Sequence, residues 1–168
     1  MNGAIFFSGQ YGSTAQYSQW ISDATGLPVF SVDDPTGDPS QYDFLVLGSS
    51  IVFYKATIRG WVKQNWSTLA DKPTALFTVS GAPAGPKLDG WIAKSLPAEL
   101  VSRADHVALQ GRLRHDDVSW WLKIILKIGA LRNKDAEASE DEMHGFDYMD
   151  KSSIQPILEL VERYRRPR

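Results

Sequence analysis

The residues with the clearest chemical potential stand near the start of the chain, in the run Ser8-Gly9-Gln10-Tyr11-Gly12-Ser13-Thr14. This turn is made of hydroxyl, amide and glycine residues. It follows a short apolar run, Ala4–Phe7, and leads directly into a helical pattern from Ser13. A strand that empties through such a turn into a helix N-terminus presents several free backbone N–H groups and the positive end of the helix dipole to one point. The chemistry that suits this arrangement is recognition of a phosphate.

Several phosphate cradles compete for that pattern. A nucleoside-triphosphate loop needs Lys-Ser/Thr after its glycines, and no lysine is present here. A dinucleotide fold wants Gly-x-Gly-x-x-Gly, of which only Gly9 and Gly12 exist, although Asp33 falls about twenty residues on as the ribose-binding acid would. A metal-dependent receiver site needs acidic residues directly after the first strand, where this chain has Ser8-Gly9. The remaining solution wraps a terminal phosphomonoester in hydroxyl, amide and backbone hydrogen bonds without a lysine. A bland alternative stays open, because Ser and Thr begin helices wherever they occur.

Composition narrows the rest. With 18 basic and 20 acidic residues in 168, no net charge favours nucleic acid. The absence of cysteine excludes disulfides and thiolate metal sites, and three scattered histidines, His106, His115 and His144, argue against a metal centre. No signal-peptide pattern opens the chain, and no apolar run reaches the roughly 18–20 residues of a spanning helix. The expectation is one soluble, cytoplasmic domain over residues 1–168.

Short apolar runs bounded by turn formers predict buried parallel strands over Ala4–Ser8, Val29–Val32, Phe44–Gly48, Thr74–Val79 and His106–Gln110. Helical patterns alternate with them over Ser13–Thr25, Lys55–Leu69, Leu88–Leu96 and Ser152–Arg165. This alternation predicts an α/β fold, a doubly wound five-stranded parallel sheet with helices on both faces. One connection stands apart. Gly111–Asp150 is about forty residues long, far beyond the usual two to six, and should carry structure or function. Within it Asp117–Arg132 reads as a helix and Asn133–Met143 as an acidic loop.

Two further strand ends supply candidate site residues. After the third strand come Ser49, Ser50, Ile51, Val52, Phe53 and Tyr54, and after the fourth Ser80, Gly81 and Ala82, continuing to Gly85. The turn Ser8–Thr14 resembles the flavodoxin phosphate loop, with Gly12 and Thr14 at its Gly-x-Thr positions. That resemblance implies strand order 2-1-3-4-5 and FMN at the C-terminal edge of the sheet, its ring held between the loops after strands three and four. Ser49 and Ser50 would then serve the ring or ribityl chain, and an apolar residue among Ile51–Tyr54 would pack on a flavin face. The other reading of Phe53 and Tyr54 is that they begin a helix and face the core.

A closer resemblance rests on Val46-Leu-Gly-Ser-Ser-Ile51, on Trp61-Val-Lys63, and on Gly111-Arg-Leu-Arg114 followed by Trp120-Trp-Leu-Lys-Ile-Ile-Leu-Lys-Ile-Gly129. These segments are similar to the bacterial FMN-dependent protoporphyrinogen IX dehydrogenases. Membership of that family would imply haem biosynthesis, electron transfer from substrate through FMN to a quinone, and a basic, aromatic-rich insertion after strand five. In the insertion, Val118, Trp121, Leu122, Ile125 and Ile128 form an apolar stripe edged by Lys123, Lys127 and Arg132. Such a helix suits the inner face of a membrane, a wall over the flavin, or packing within the domain or a dimer. Arg112, Arg114 and Lys123 are the candidates to grip substrate carboxylates. No side chain stands out as a general acid or base. The rival expectation is an FMN electron carrier docking on a redox partner protein, and a third is a domain that keeps the fold without the cofactor.

Overall fold

The computed structural model describes residues 1–9, 12–113 and 146–166. Gln10, Tyr11, Arg114, Lys123, the expected helix Asp117–Arg132 and the acidic stretch Asn133–Met143 lie outside the described residues.

Five parallel strands form the central sheet: β1 (Gly3–Ser8), β2 (Val29–Ser31), β3 (Phe44–Val52), β5 (Thr74–Ser80) and β6 (Asp105–Gln110). Their spatial order is β2-β1-β3-β5-β6, which is the expected 2-1-3-4-5 counted over the parallel strands. The two-residue β4 (Lys55–Ala56) adds to β3 as an antiparallel partner. A second, two-stranded ribbon pairs β7 (Arg112–Leu113) with β8 (Phe146–Asp147), at the two ends of the insertion.

Alternation of side chains at period two explains why the strands are apolar on both faces. Ala4, Phe6, Leu45, Leu47 and Leu76 point to one core, closed by α2 (Arg59–Gln64), α3 (Trp66–Leu69), α4 (Pro86–Ser95) and α5 (Ala98–Arg103). Phe6 lies at its centre, with ring centroids 5.3 Å from Phe30 and 5.0 Å from Trp61. Ile5, Phe44, Val46, Ala75 and Phe77 point to the other core, closed by α1 (Ser13–Thr25) and α6 (Gln155–Arg165). Asp150 starts the final segment by accepting the Ser152 N–H at 2.8 Å, and a 3-10 turn over Lys151–Ile154 leads into α6.

The region after strand three departs from expectation. β3 runs on to Val52 rather than ending at Gly48, and the single helix expected over Lys55–Leu69 is replaced by a hairpin and two short helices. Phe53 and Tyr54 form the two-residue hairpin turn, both with left-handed backbone (φ 48° and 63°). Such turns are normally written Asn-Gly, so two aromatics gave no turn signal. Asn65 divides the helices: its backbone N–H and side-chain amide both donate to the Trp61 carbonyl, at 3.0 and 2.9 Å. Helix α5 was not expected at all. Pro97 at its start and only six residues of pattern left it below the length at which periodicity is readable.

His106 on the edge strand keeps one side open to solvent while its ring nitrogen Nε2 is hydrogen-bonded to Thr78 Oγ1 at 2.9 Å. Burial lowers its pKa, partly offset by the Asp89 carboxylate. A histidine held neutral in this way costs stability as pH falls below its unfolded value near about 6.5, because the unfolded chain then binds the extra proton more readily. Urea unfolding at pH 7.5 and 5.5 should therefore show a loss of stability on acidification that is smaller in His106→Gln. Equal losses in the two proteins would contradict the assignment.

Candidate functional site

Because the strands are parallel, the connections after β1, β3, β5 and β6 all emerge at one edge of the sheet. The structure thereby brings together Ser8, Gly12, Ser13 and Thr14 from the first connection, Ser49–Tyr54 from the second, Ser80–Ala82 from the third, and Arg112 from the fourth. Ser8 pairs in register with Ser49, and Ser50 with Val79.

The first connection is a cradle with an open helix end. Gly12 is the N-cap of α1 with φ 82°, a conformation that any other residue would adopt at a cost, and no side chain caps the helix. The N–H groups of the first helical turn have no intrahelical acceptor. Gly9 is required for a different reason. A β-carbon there would lie 2.7 Å from Thr14 Cβ and 2.9 Å from Thr14 Oγ1, so the turn can fold over Thr14 only without one.

The hydroxyls expected to face a ligand are largely committed to holding this edge together. Thr14 is fully buried, and its Oγ1 lies 2.6 Å from Ser50 Oγ, which ties the turn to β3. Ser49 is also fully buried; its hydroxyl donates to the Ser50 carbonyl at 2.9 Å and accepts the Ile58 N–H at 3.3 Å, where α2 begins. Ser80 Oγ donates to the Ala82 carbonyl at 2.9 Å and shapes the third connection. Sequence reading missed Thr57, whose Oγ1 donates to the Ser8 carbonyl at 2.8 Å and so closes the cradle from the side. Only its nearness in space, not its position in sequence, marks it.

The second connection offers an apolar surface. Ile51 and Val52 are half-buried strand residues, whereas Phe53 and Tyr54 are 50% and 66% exposed at the tip of the hairpin. They neither begin a helix nor face the core. Two consecutive left-handed aromatics cost about 1–3 kcal/mol each, a strain that persists only where the surroundings hold it. Here α4 does so: Ser95 Oγ accepts the Ala56 N–H at 3.1 Å, and Trp91 lies 5.0 Å from the Tyr54 ring, with Lys87 Nζ 5.5 Å from the Trp91 ring. Trp91 gave no signal in the sequence beyond its place in a helical pattern.

The fourth connection begins the insertion beside the cradle. Ser13 Oγ accepts the Arg112 N–H at 3.1 Å and donates to the Arg112 carbonyl at 3.4 Å. The fully buried Tyr17, one turn along α1, donates its hydroxyl to the Gln110 carbonyl at 2.8 Å and accepts the Asp150 N–H at 3.1 Å. Both ends of the insertion are thus fastened to the helix that starts in the cradle. Among the described residues, no group of histidine and carboxylate side chains could hold a metal, and no helix is long and apolar enough to cross a membrane. The buried Thr14–Ser50 pair gives a direct check: Thr14→Val should lower the stability measured by denaturant unfolding by about 1–3 kcal/mol, since it strands the Ser50 hydroxyl. An unchanged stability would mean that this bond does not hold the edge.

Comparison with known proteins agrees with this architecture. The flavodoxin-domain family model matches residues 4–140. No curated protein matches the chain in sequence. Among solved structures, general stress protein 14 of Treponema denticola in complex with FMN is similar at a TM-score of 0.50 and 15% identity, covering 98% of this chain and 100% of that one. The Trp repressor binding protein of Bacillus subtilis has the same TM-score at 13% identity, covering 84% of this chain and 95% of its own. With a match over most of its length, a doubly wound sheet in the expected order and a glycine turn at the head of α1, the chain belongs to the flavodoxin-domain family.

Proposed function

We propose that this protein binds FMN at the C-terminal edge of its sheet and works as an FMN-dependent oxidoreductase. The observation that carries the reading is the uncapped, glycine-led N-terminus of α1, set at the same edge as a strained aromatic hairpin. The residues present fit the cofactor. A phosphomonoester needs donors and positive potential, which the open first turn of α1 supplies. A flat ring system needs an apolar surface, which Phe53 and Tyr54 expose. Bound FMN supplies the redox chemistry, and the protein positions it and tunes its environment.

In this reading Gly12, Ser13 and Thr14 shape the phosphate cradle, while Ser49–Tyr54 and Ser80–Ala82 flank the ring. Ser49, Ser50 and Ser80 act mainly through the backbone geometry that their buried hydroxyls fix. The assignment to an enzyme rather than a carrier draws on the insertion, whose two ends leave and re-enter the fold at this edge. A basic, aromatic-rich segment rooted there suits a flat, carboxylate-bearing substrate, and the resemblance to protoporphyrinogen IX dehydrogenases names one, with a quinone as electron acceptor. Peripheral attachment to a membrane through Asp117–Arg132 would bring that acceptor within reach.

Protein purified and reconstituted with FMN should show flavin absorption and oxidise protoporphyrinogen with a menaquinone analogue. Full FMN occupancy without turnover would contradict the enzyme and leave an electron carrier; absence of any flavin binding would contradict both.

A further inference from the structure

Arg112 occupies a position that the role of gripping a substrate does not explain. It is the first residue of the ribbon that begins the insertion, and its backbone is held on both polar groups by Ser13. Its half-buried side chain runs back over the cradle: a β-carbon on Gly12 would lie 3.9 Å from Arg112 Nη2. Its Nε is buried with no hydrogen-bond partner, and no carboxylate among the described residues forms an ion pair with it. A buried guanidinium donor without an acceptor is costly, so an acceptor is the missing component. Nε and Nη2 donate from the same edge of the guanidinium, the edge with which arginine grips oxyanions in a bidentate fashion.

We infer that Arg112 is a phosphate-binding residue, which closes the cradle of Gly12, Ser13 and the first turn of α1 over the FMN phosphate and lets this site select the phosphorylated flavin over riboflavin. The inference rests on the FMN reading above and assigns Arg112 to the cofactor instead of to a substrate carboxylate. A turn without lysine supplies the phosphate with partial charges only, from N–H groups and the helix dipole. Arg112 adds a full positive charge from a distant part of the sequence, about a hundred residues after the turn it completes. It also makes cofactor binding and the root of the insertion one unit, since the same residue belongs to both.

The test compares FMN with riboflavin, which has the same ring and ribityl chain and no phosphate. Affinities are measured by fluorescence titration of apoprotein for the unaltered chain, Arg112→Gln and Arg112→Lys, with circular dichroism to confirm folding. Arg112→Gln should weaken FMN binding by about 10- to 100-fold and leave riboflavin binding within about twofold. Arg112→Lys, which keeps the charge and loses the fork, should fall between. As a second readout, the ³¹P resonance of FMN on the unaltered protein should titrate at lower pH than that of free FMN. In Arg112→Lys this depression should shrink, which keeps the test open if Arg112→Gln does not fold. Equal weakening of FMN and riboflavin, unchanged FMN affinity, or a ³¹P titration that the substitutions do not move would each overturn the inference while leaving FMN binding intact. An unaltered protein that binds neither flavin would instead overturn the reading beneath it.

Discussion

A parallel sheet covered by helices on both faces leaves free only its two edge strands and the ends of its strands. That constraint governs the molecule. Both faces of β1, β3 and β5 are buried, one against α2–α5 and the other against α1 and α6. The strands can therefore be largely apolar, and their polar residues gather towards the strand ends, as Ser49, Ser50 and Ser80 do, while the strained backbone lies in the connections. Because all five strands run the same way, the connections that follow them meet at one edge. Glycine turn, open helix end, strained hairpin and insertion root converge there as a consequence of topology, not of any local attraction between them.

Hydroxyl groups then fix that edge. The Thr14–Ser50 contact joins the first connection to the second, Thr57 joins the hairpin to Ser8, and Ser95 fastens the hairpin to α4. Ser13 and Tyr17 do the same for the insertion, so its two ends are set by the helix whose N-terminus forms the cradle. These side chains look like ligand donors in the sequence, yet in the fold they are the frame. Among the described residues, those offered to the proposed ligand are backbone N–H groups, exposed aromatic rings and the Arg112 guanidinium. Binding chemistry built from backbone and held by buried hydroxyls is preorganised, because few of its parts need to move.

Much of this was legible beforehand. Short β-branched and aromatic runs between turn formers located all five parallel strands, and Gly12 followed by Ser13-Thr14 located the start of α1, because both signals are local. The hairpin was not legible: Phe53-Tyr54 adopts a turn that its residue types disfavour, imposed by packing on α4. The break at Asn65 depends on one side chain bonding its own helix, which a periodic pattern does not register. Nor could spacing reveal that Arg112 reaches Gly12, since a hundred residues separate them and only the return of β6 beside α1 brings them together. Local chemistry was readable; partnerships made by the fold were not.

The central claim is that FMN is held with its phosphate at the head of α1 and its ring between the connections after β3 and β5. Mapping of backbone amide resonances during FMN titration tests it most directly. The account predicts the largest shifts at Gly9, Gly12–Ala15, Phe53, Tyr54, Gly81, Ala82, Ala84 and Gly85, with little change in the groove between β6 and α6 lined by Asp105, His106, Glu159 and Arg163. Shifts concentrated in that groove, with the head of α1 unmoved, would contradict it.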